Sequence, residues 1–363
     1  MHYRYYLLAL LTFSLVATTA QERRVTLIFA GDAMHHTPQL HAAKTDSGYN
    51  YQSVFQHIQH KIATADIAGV NLETTFGGVP YTGYPLFSAP TEYAAALHQA
   101  GFNLFFTANN HALDSGTKGF QQTIQTIKTL GAKQTGTFIS EEDRALRYPL
   151  MLIKNGIRIA FLNYTYGTNG LVAKPPHIVN LIDTTLIQQD IAAAQKLHPD
   201  ITIAVMHWGE EYHTQPSKQQ KQLTQFLFNH NVRLIIGHHP HVVQPLHPLS
   251  QGDSITHAVF YSLGNFVSNQ RKQNRDGGML AHIVLSKAHQ DAPVSIQMVD
   301  YSLLWVQKQY EAGKPIFRIL PIQADTTGYN LQPHERWAMD RFVRGANWIL
   351  PPPRQPYSSP VDK

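Results

Sequence analysis

The chain of 363 residues contains no cysteine. That excludes disulfides, thiolate metal ligands, a thiol nucleophile and a lipid-modified cysteine anchor, so the fold must be held by its core alone. Charge is sparse as well: 29 Lys and Arg against 24 Asp and Glu, 15% of residues, for a formal net charge of +5. The basic residues are scattered without a Lys/Arg-rich block, so nucleic acid is not implied, while the mild excess is compatible with an anionic substrate or surface. Neither a Gly-x-Ser-x-Gly elbow nor a P-loop is present, which removes the usual serine-nucleophile and nucleotide-cradle readings.

With 43% hydrophobic residues the chain can bury a full core. Arg4, the apolar stretch 5–16 and the small residues Thr18 and Ala20 have the pattern of a secretory signal peptide over residues 1–20. The apolar stretch is shorter than the ~20 residues that span a bilayer, so a stable membrane anchor is not expected. Removal of residues 1–20, whose one charge is Arg4, leaves a mature charge of +4 and an exported protein, periplasmic or extracellular. Residues 21–285 read as one α/β domain, 286–350 as a β-rich and helical extension completing the same domain, and 351–363 as a proline-rich tail, extended or disordered.

The runs 25–30, 67–70, 102–107, 201–206 and 232–236 are near-continuously apolar, as in strands buried on both faces of an α/β sheet. Helical spacing falls between them, around 53–64, 91–98, 118–130, 185–197 and 218–229. Asn155-Gly156, between two apolar runs, predicts a two-residue hairpin and hence some antiparallel pairing. After Gly278 long alternating stretches predict a mostly antiparallel sheet, followed by a last helix from Pro333 to Ile349.

Polar groups collect where strands end. The first strand delivers Asp32, the second Asn71 and Glu73, the third Asn110, His111 and Asp114, the fourth His207, and the fifth the turn Gly237-His238-His239-Pro240-His241. Pro240 fixes its own φ and disfavours helical backbone at His239, which predicts an extended, restricted presentation of the two flanking rings. Each residue has a plainer reading: Asp32 as a helix cap, Asn110 as a turn former, Glu73 as a solvated charge, His207 as a hydrogen-bonded core residue. Jointly they indicate a metal site, because ligands in open α/β sheets bind outside the carboxyl ends of strands. Carboxylate, amide and imidazole donors without thiolate suit one or two divalent ions, Mn, Fe or Zn, and hydrolytic chemistry.

The segments Gly31-Asp32-Ala33-Met34, Asn71-Leu72-Glu73, Asn109-Asn110-His111 with Asp114 and Gly116, His207-Trp208-Gly209 with Glu211-Tyr212, Gly237 through Val242 with Gln244, and Tyr261 through Phe266 resemble, in order, the motifs of the CapA family. These are poly-γ-glutamate capsule biosynthesis proteins related to the calcineurin-like metallophosphoesterases. The resemblance implies a four-layer α-β-β-α sandwich with two central, mixed sheets and the site at the sheet edge. It assigns Asp32, Glu73 and His241 to a first metal and Glu73, Asn110, His207 and His239 to a second, with Glu73 bridging. It makes His111 the proton donor to the leaving group, and Asp114 its orienting partner in place of the acidic residue usual at Ala112. Met34 stands where the related enzymes carry a histidine, leaving His35 or His36 as substitutes; His238 is a supporting residue. Trp208, Glu211 and Tyr212 are expected to line the cleft and contact substrate, although packing would also explain Trp208; Asn265 is expected to hydrogen-bond substrate or a ligand histidine, with a turn-forming role as the alternative. The function so implied is an exported metal-dependent hydrolase, phosphoesterase-like or amide-cleaving, acting on an anionic envelope polymer or phosphoester, with possible capsule-synthesis partners in the membrane. The alternative is a non-catalytic metal-containing accessory that binds and helps export the polymer.

Overall fold

A computed structural model describes residues 22–322 and 328–352. The expected signal peptide and nearly all of the proline-rich tail lie outside the described residues. Among the described residues no helix is long and apolar enough to cross a membrane.

The first strand, Arg23–Met34, pairs in parallel with Ile67–Glu73, which continues to Leu104–Phe106 and Lys133–Thr135. A second parallel group runs Ile157–Thr165, Ile201–His207, Leu234–His238 and Ser254–Phe260. Alternation along these strands sets the layers. Leu27, Phe29, Ile67, Phe106, Phe161, Ile203 and Ile236 share one inner core, and the rings of Phe29 and Phe106 both lie 6.3 Å from that of Phe161 across it. The intervening residues face outward. Ile28, Ala68 and Val70 meet Phe55, Ile62 and Leu97, while Leu162, Ala204 and Ile235 meet Ile187, Ile191 and Leu227 of the helices Thr184–Lys196 and Lys218–Asn229. The result is the α-β-β-α order of layers.

The two sheets are leaves of a single 14-stranded network rather than separate sheets. The C-terminal strands Gly277–Lys287 and Ser295–Glu311 join them: the first pairs along Arg23–Ala30, and the second reaches the far leaf through Ile296 opposite Ile255. The extension therefore belongs to the central sheet. The 53–64 segment forms two short helices, Gln52–Phe55 and Gln59–Ile62, instead of one. The Asn155-Gly156 turn has φ of 48° and 75°, the left-handed pair that a two-residue hairpin needs.

Candidate metal centre between the two leaves

Inner-face parity brings the ligands together. On Ile67–Glu73 the inward positions after Ile67 include Asn71 and Glu73, and on Ile201–His207 they end at His207. The first strand needs a correction to join them, because Asp32 has the parity of the outward-facing Ala30. A bulge between Ala30 and Asp32 supplies it: Ala30 pairs with Val70 but Asp32 with Asn71. One extra residue inverts the side that the chain presents beyond it. That residue is Gly31, and a Cβ there would sit 1.9 Å from the Gly264 carbonyl oxygen.

Asp32, Glu73, His207, His238, His239 and His241 are all buried. His241 Nδ1 lies 3.0 Å and His238 Nδ1 3.4 Å from the Asp32 carboxylate, and Glu73 Oε1 is 3.6 Å from His241 Nε2 and 3.9 Å from His207 Nε2. His207 Nε2 and Asn110 Oδ1 are 2.8 Å apart. Two sets of ligand atoms each lie within 4.8 Å of one another: Glu73, His239 and His241, and Asp32, Glu73 and His207. Glu73 belongs to both, as a bridging carboxylate must. The division of the others differs from the one the resemblance implies, since His239 groups with His241 and His207 with Asp32.

The donor set fits a divalent ion. Glu73 Oε1 is buried without a hydrogen-bond partner, as are both ring nitrogens of His238 and Nδ1 of His239. Burial, then the neighbouring charges of Asp32 and Glu211, push the Glu73 carboxyl well above its usual range. Burial would raise Asp32 as well, but the adjoining His238 and His241 rings outweigh it and hold that carboxyl well below the usual range. Burial, reinforced by His239, keeps His207 neutral far below its ordinary value, and burial with His241 lowers His239 to about 3. Two adjacent buried carboxyl groups ringed by buried imidazoles form a donor-rich cavity that a cation satisfies.

The His-rich turn departs from the extended geometry expected of it. His239 has φ 96° and His241 φ 57°, both left-handed, on either side of Pro240. The turn must fold back over Asp32, whose carboxylate accepts the His239 backbone N–H at 3.4 Å. Backbone strain of this kind is maintained by the packing around it. Gly237 permits the close approach beneath, since a Cβ would lie 2.0 Å from the Tyr261 carbonyl oxygen.

His111 stands beside the cluster, directly after Asn110 in the chain and tied through its backbone N–H and Asn109 to Asn71. Its Nδ1 is 2.7 Å from Asp114 Oδ2, and the same oxygen accepts the Phe87 backbone N–H at 2.7 Å. Asp114 is thus fixed, and the outer nitrogen of His111 is left for a ligand. Phe87 packs edge-on against His111 at 4.6 Å and against His36 at 5.2 Å, so His36 forms part of the wall. His35 does not substitute for the missing histidine: its Nε2 is 2.7 Å from the Tyr51 hydroxyl, and its ring packs against Tyr51 and Tyr93.

Trp208 lies in the outer core, with Nε1 donating to the Tyr261 carbonyl at 3.0 Å and its ring stacked on Tyr261; it does not line the cleft. The reason is parity, since it follows inward-facing His207 directly. Asn265 donates to the backbone carbonyls of Arg275 (2.8 Å) and His241 (3.3 Å), which fastens the His241 loop from behind. Glu211 and Tyr212 are exposed at the mouth, the Tyr212 ring 6.0 Å from His241.

Asn71, already named at its strand end, has a bonding role that the sequence did not specify. Asn71 donates to Asp32 (2.8 Å) and Glu73 (3.2 Å), and accepts from Asn109 (3.2 Å), whose Oδ1 in turn accepts the His111 N–H at 3.1 Å. Its place two residues before Glu73 on one strand face was the available signal. Tyr166 packs 4.5 Å from His239, and Asn169 accepts from Asn110 at 3.2 Å; no local pattern marks either.

Comparison with known proteins identifies the family. The profile of the family described as "Bacterial capsule synthesis protein PGA_cap" matches residues 26–270. The capsule biosynthesis protein CapA of Bacillus anthracis is 29% identical over 261 residues, 69% of this chain and 61% of that protein. The PGA biosynthesis protein CapA of Bacillus subtilis (strain 168) is 32% identical over 200 residues, 53% and 49% respectively. The aligned stretch thus spans less than two thirds of either relative. Among solved structures, the calcineurin-like phosphoesterase YfkN from Bacillus subtilis covers 90% of this chain and 98% of its own at 12% identity, with a TM-score of 0.39. The matched profile extends from the first strand past the Asn265 segment, so it encloses every ligand described above, and the chain belongs to the CapA family of bacterial capsule synthesis proteins.

Proposed function

We propose that the protein is an exported metal-dependent hydrolase acting on an anionic envelope polymer, such as poly-γ-glutamate, during capsule synthesis or processing. The observation that carries this reading is the His111–Asp114 pair at 2.7 Å beside a buried ligand set centred on Glu73. A site that only binds does not need a histidine locked by a carboxylate with its other nitrogen free. Asp32, Glu73, Asn110, His207, His239 and His241 would hold one or two ions of Mn, Fe or Zn. When bound, a divalent ion there acidifies water and offsets negative charge developing on an oxyanion.

The chain's own contribution is positional. Asp114 holds Nδ1 of His111, so that Nε2 presents the proton to a departing oxygen or nitrogen; Asn71 keeps the two carboxylates aligned; Tyr166 packs on His239 and Phe87 on His111. Capsule-synthesis proteins of the membrane are the partners this reading brings with it. A second reading, a metal-containing accessory that binds polymer without cleaving it, draws support from His35 facing away, which leaves the Asp32 side with fewer imidazoles.

The test is metal analysis of the purified mature protein, followed by hydrolysis of a generic phosphodiester and of poly-γ-glutamate. His111→Ala is expected to lower kcat by about 10²–10⁴ with metal content unchanged. Bound metal with equal turnover in both proteins overturns catalysis by His111, and failure to bind metal on reconstitution overturns the centre itself.

A further inference from the structure

Just outside the ligand cluster, Tyr212 carries a guanidinium on its face. The Cζ atom of Arg275 lies 3.3 Å from the centre of the Tyr212 ring, which itself lies 6.0 Å from the ring of His241. The guanidinium carbon stands close over the ring face, a contact in which an aromatic ring supports the cation while its N–H groups can still donate. Among the described residues the Arg275 side chain makes no hydrogen bond and no ion pair, although its backbone is tied twice: its N–H donates to the Lys272 carbonyl at 3.1 Å, and its carbonyl accepts from Asn265 at 2.8 Å. The charge is therefore fixed in place and unspent.

Two further features indicate that the position is built. The backbone N–H of Tyr212 donates to the Pro240 carbonyl at 2.7 Å, so the platform is attached to the His-rich turn. The turn carrying Arg275 is backed by the last helix, Pro333–Ile349: Gly345 approaches Asn274 so closely that a Cβ would fall 2.3 Å from its side-chain oxygen, and Phe342 fills the space above Gly277. The C-terminal extension thereby holds one wall of the cleft.

We infer that Arg275, stacked on Tyr212, is a recognition site for a substrate oxyanion, reading a carboxylate or phosphate one unit along the chain from the group held at the metal centre. Resting on the hydrolase reading for its substrate, it adds the means of selecting an anionic one. A guanidinium edge pairs with two oxygens of such a group in parallel, and a neutral amide in the same place would leave those donors unmatched.

Calorimetric titration of the metal-loaded mature protein tests this with tetra-γ-glutamate, its all-α-carboxamide counterpart, and glycerophosphoglycerol as the phosphate probe. The wild type should bind an anionic probe at least about tenfold more tightly than the amide. Arg275→Gln should remove that preference, and Arg275→Lys should restore only part of it, since a lysine keeps the charge but loses the fork and the stack. Which anionic probe loses affinity identifies the oxyanion. Equal affinity of wild type and Arg275→Gln for every probe, a wild type that does not distinguish acid from amide, or no binding of either anion overturns the inference. Because binding is read directly, a protein that selects the acid through Arg275 but hydrolyses nothing removes the catalytic reading and leaves this one standing. Turnover sensitive to His111→Ala with Arg275→Gln unchanged does the reverse.

Discussion

Two strands of the sheet carry a carboxylate or imidazole at each end, and the two ends are treated in opposite ways. Asp66, entering Ile67–Glu73, accepts hydrogen bonds from the backbone N–H of Thr26 at 2.8 Å and its hydroxyl at 2.9 Å. Asp200, entering Ile201–His207, accepts from Lys287 Nζ and from the Arg158 backbone N–H, both at 2.7 Å. At the exits Glu73 has a buried oxygen with no partner, and His207 is 3.9 Å from it. The entry charges are finished structural bonds, whereas at the exits, although His207 is bonded to Asn110, Glu73, His238 and His239 keep buried atoms unmatched. An unmatched buried polar atom costs stability, so a set of them at one pole marks the pole selected for binding rather than for folding.

The largest expected effect breaks the exit end. Glu73→Gln removes the carboxylate shared by both ligand sets and should abolish metal retention and hydrolysis, read by metal analysis and turnover. The same change should stabilise the metal-free protein, on the order of 1 kcal/mol or more in denaturant melts, because it relieves a buried charge beside Asp32. If Glu73→Gln instead destabilises the metal-free protein, the contrast between the two poles is wrong.

Breaking the entry end should have the opposite profile. Asp200→Ala leaves Lys287, whose side chain is 6% exposed, without its partner. The cost should be about 3 kcal/mol of unfolding free energy with metal affinity unaltered. A change in metal content would mean that the poles are coupled.

A smaller effect separates buried histidines that only pack from those that face a cation. His282, in the middle of Gly277–Lys287, is lowered to about 3 by burial and then by Lys61, from a usual 6.5. Between those values the unfolded chain binds a proton that the folded one refuses, so this residue makes stability fall as pH drops from about 6.5 toward 3. His282→Gln, which keeps a polar group within reach of Ser302, should flatten that part of the pH–stability profile at constant metal content.

Legibility followed the range of the interactions. The hairpin at Asn155-Gly156 and the helices Lys218–Asn229 and Pro333–Ile349 were readable because turn chemistry and periodicity act within a few residues. The ligands were readable as strand ends. Of the two readings open for Trp208, cleft or packing, the structure selects packing, because a strand sends neighbours to opposite faces and His207 takes the inner one. His239 and His241 were expected to be extended, since nothing in the turn itself reveals that it must bend back over Asp32.

The sequence by itself determined the layered α/β class, the donor types and the order in which they reach the strand ends, all consequences of side-chain chemistry and short-range periodicity. Only the tertiary structure decided which of those donors share a centre. The bulge at Gly31 turns Asp32 inward, the folding of one sheet into two leaves brings Glu73 against His207 and His241, and the turn backed by the last helix carries Arg275 over Tyr212. Each depends on contacts between residues distant in the chain, where packing rather than local preference selects the geometry.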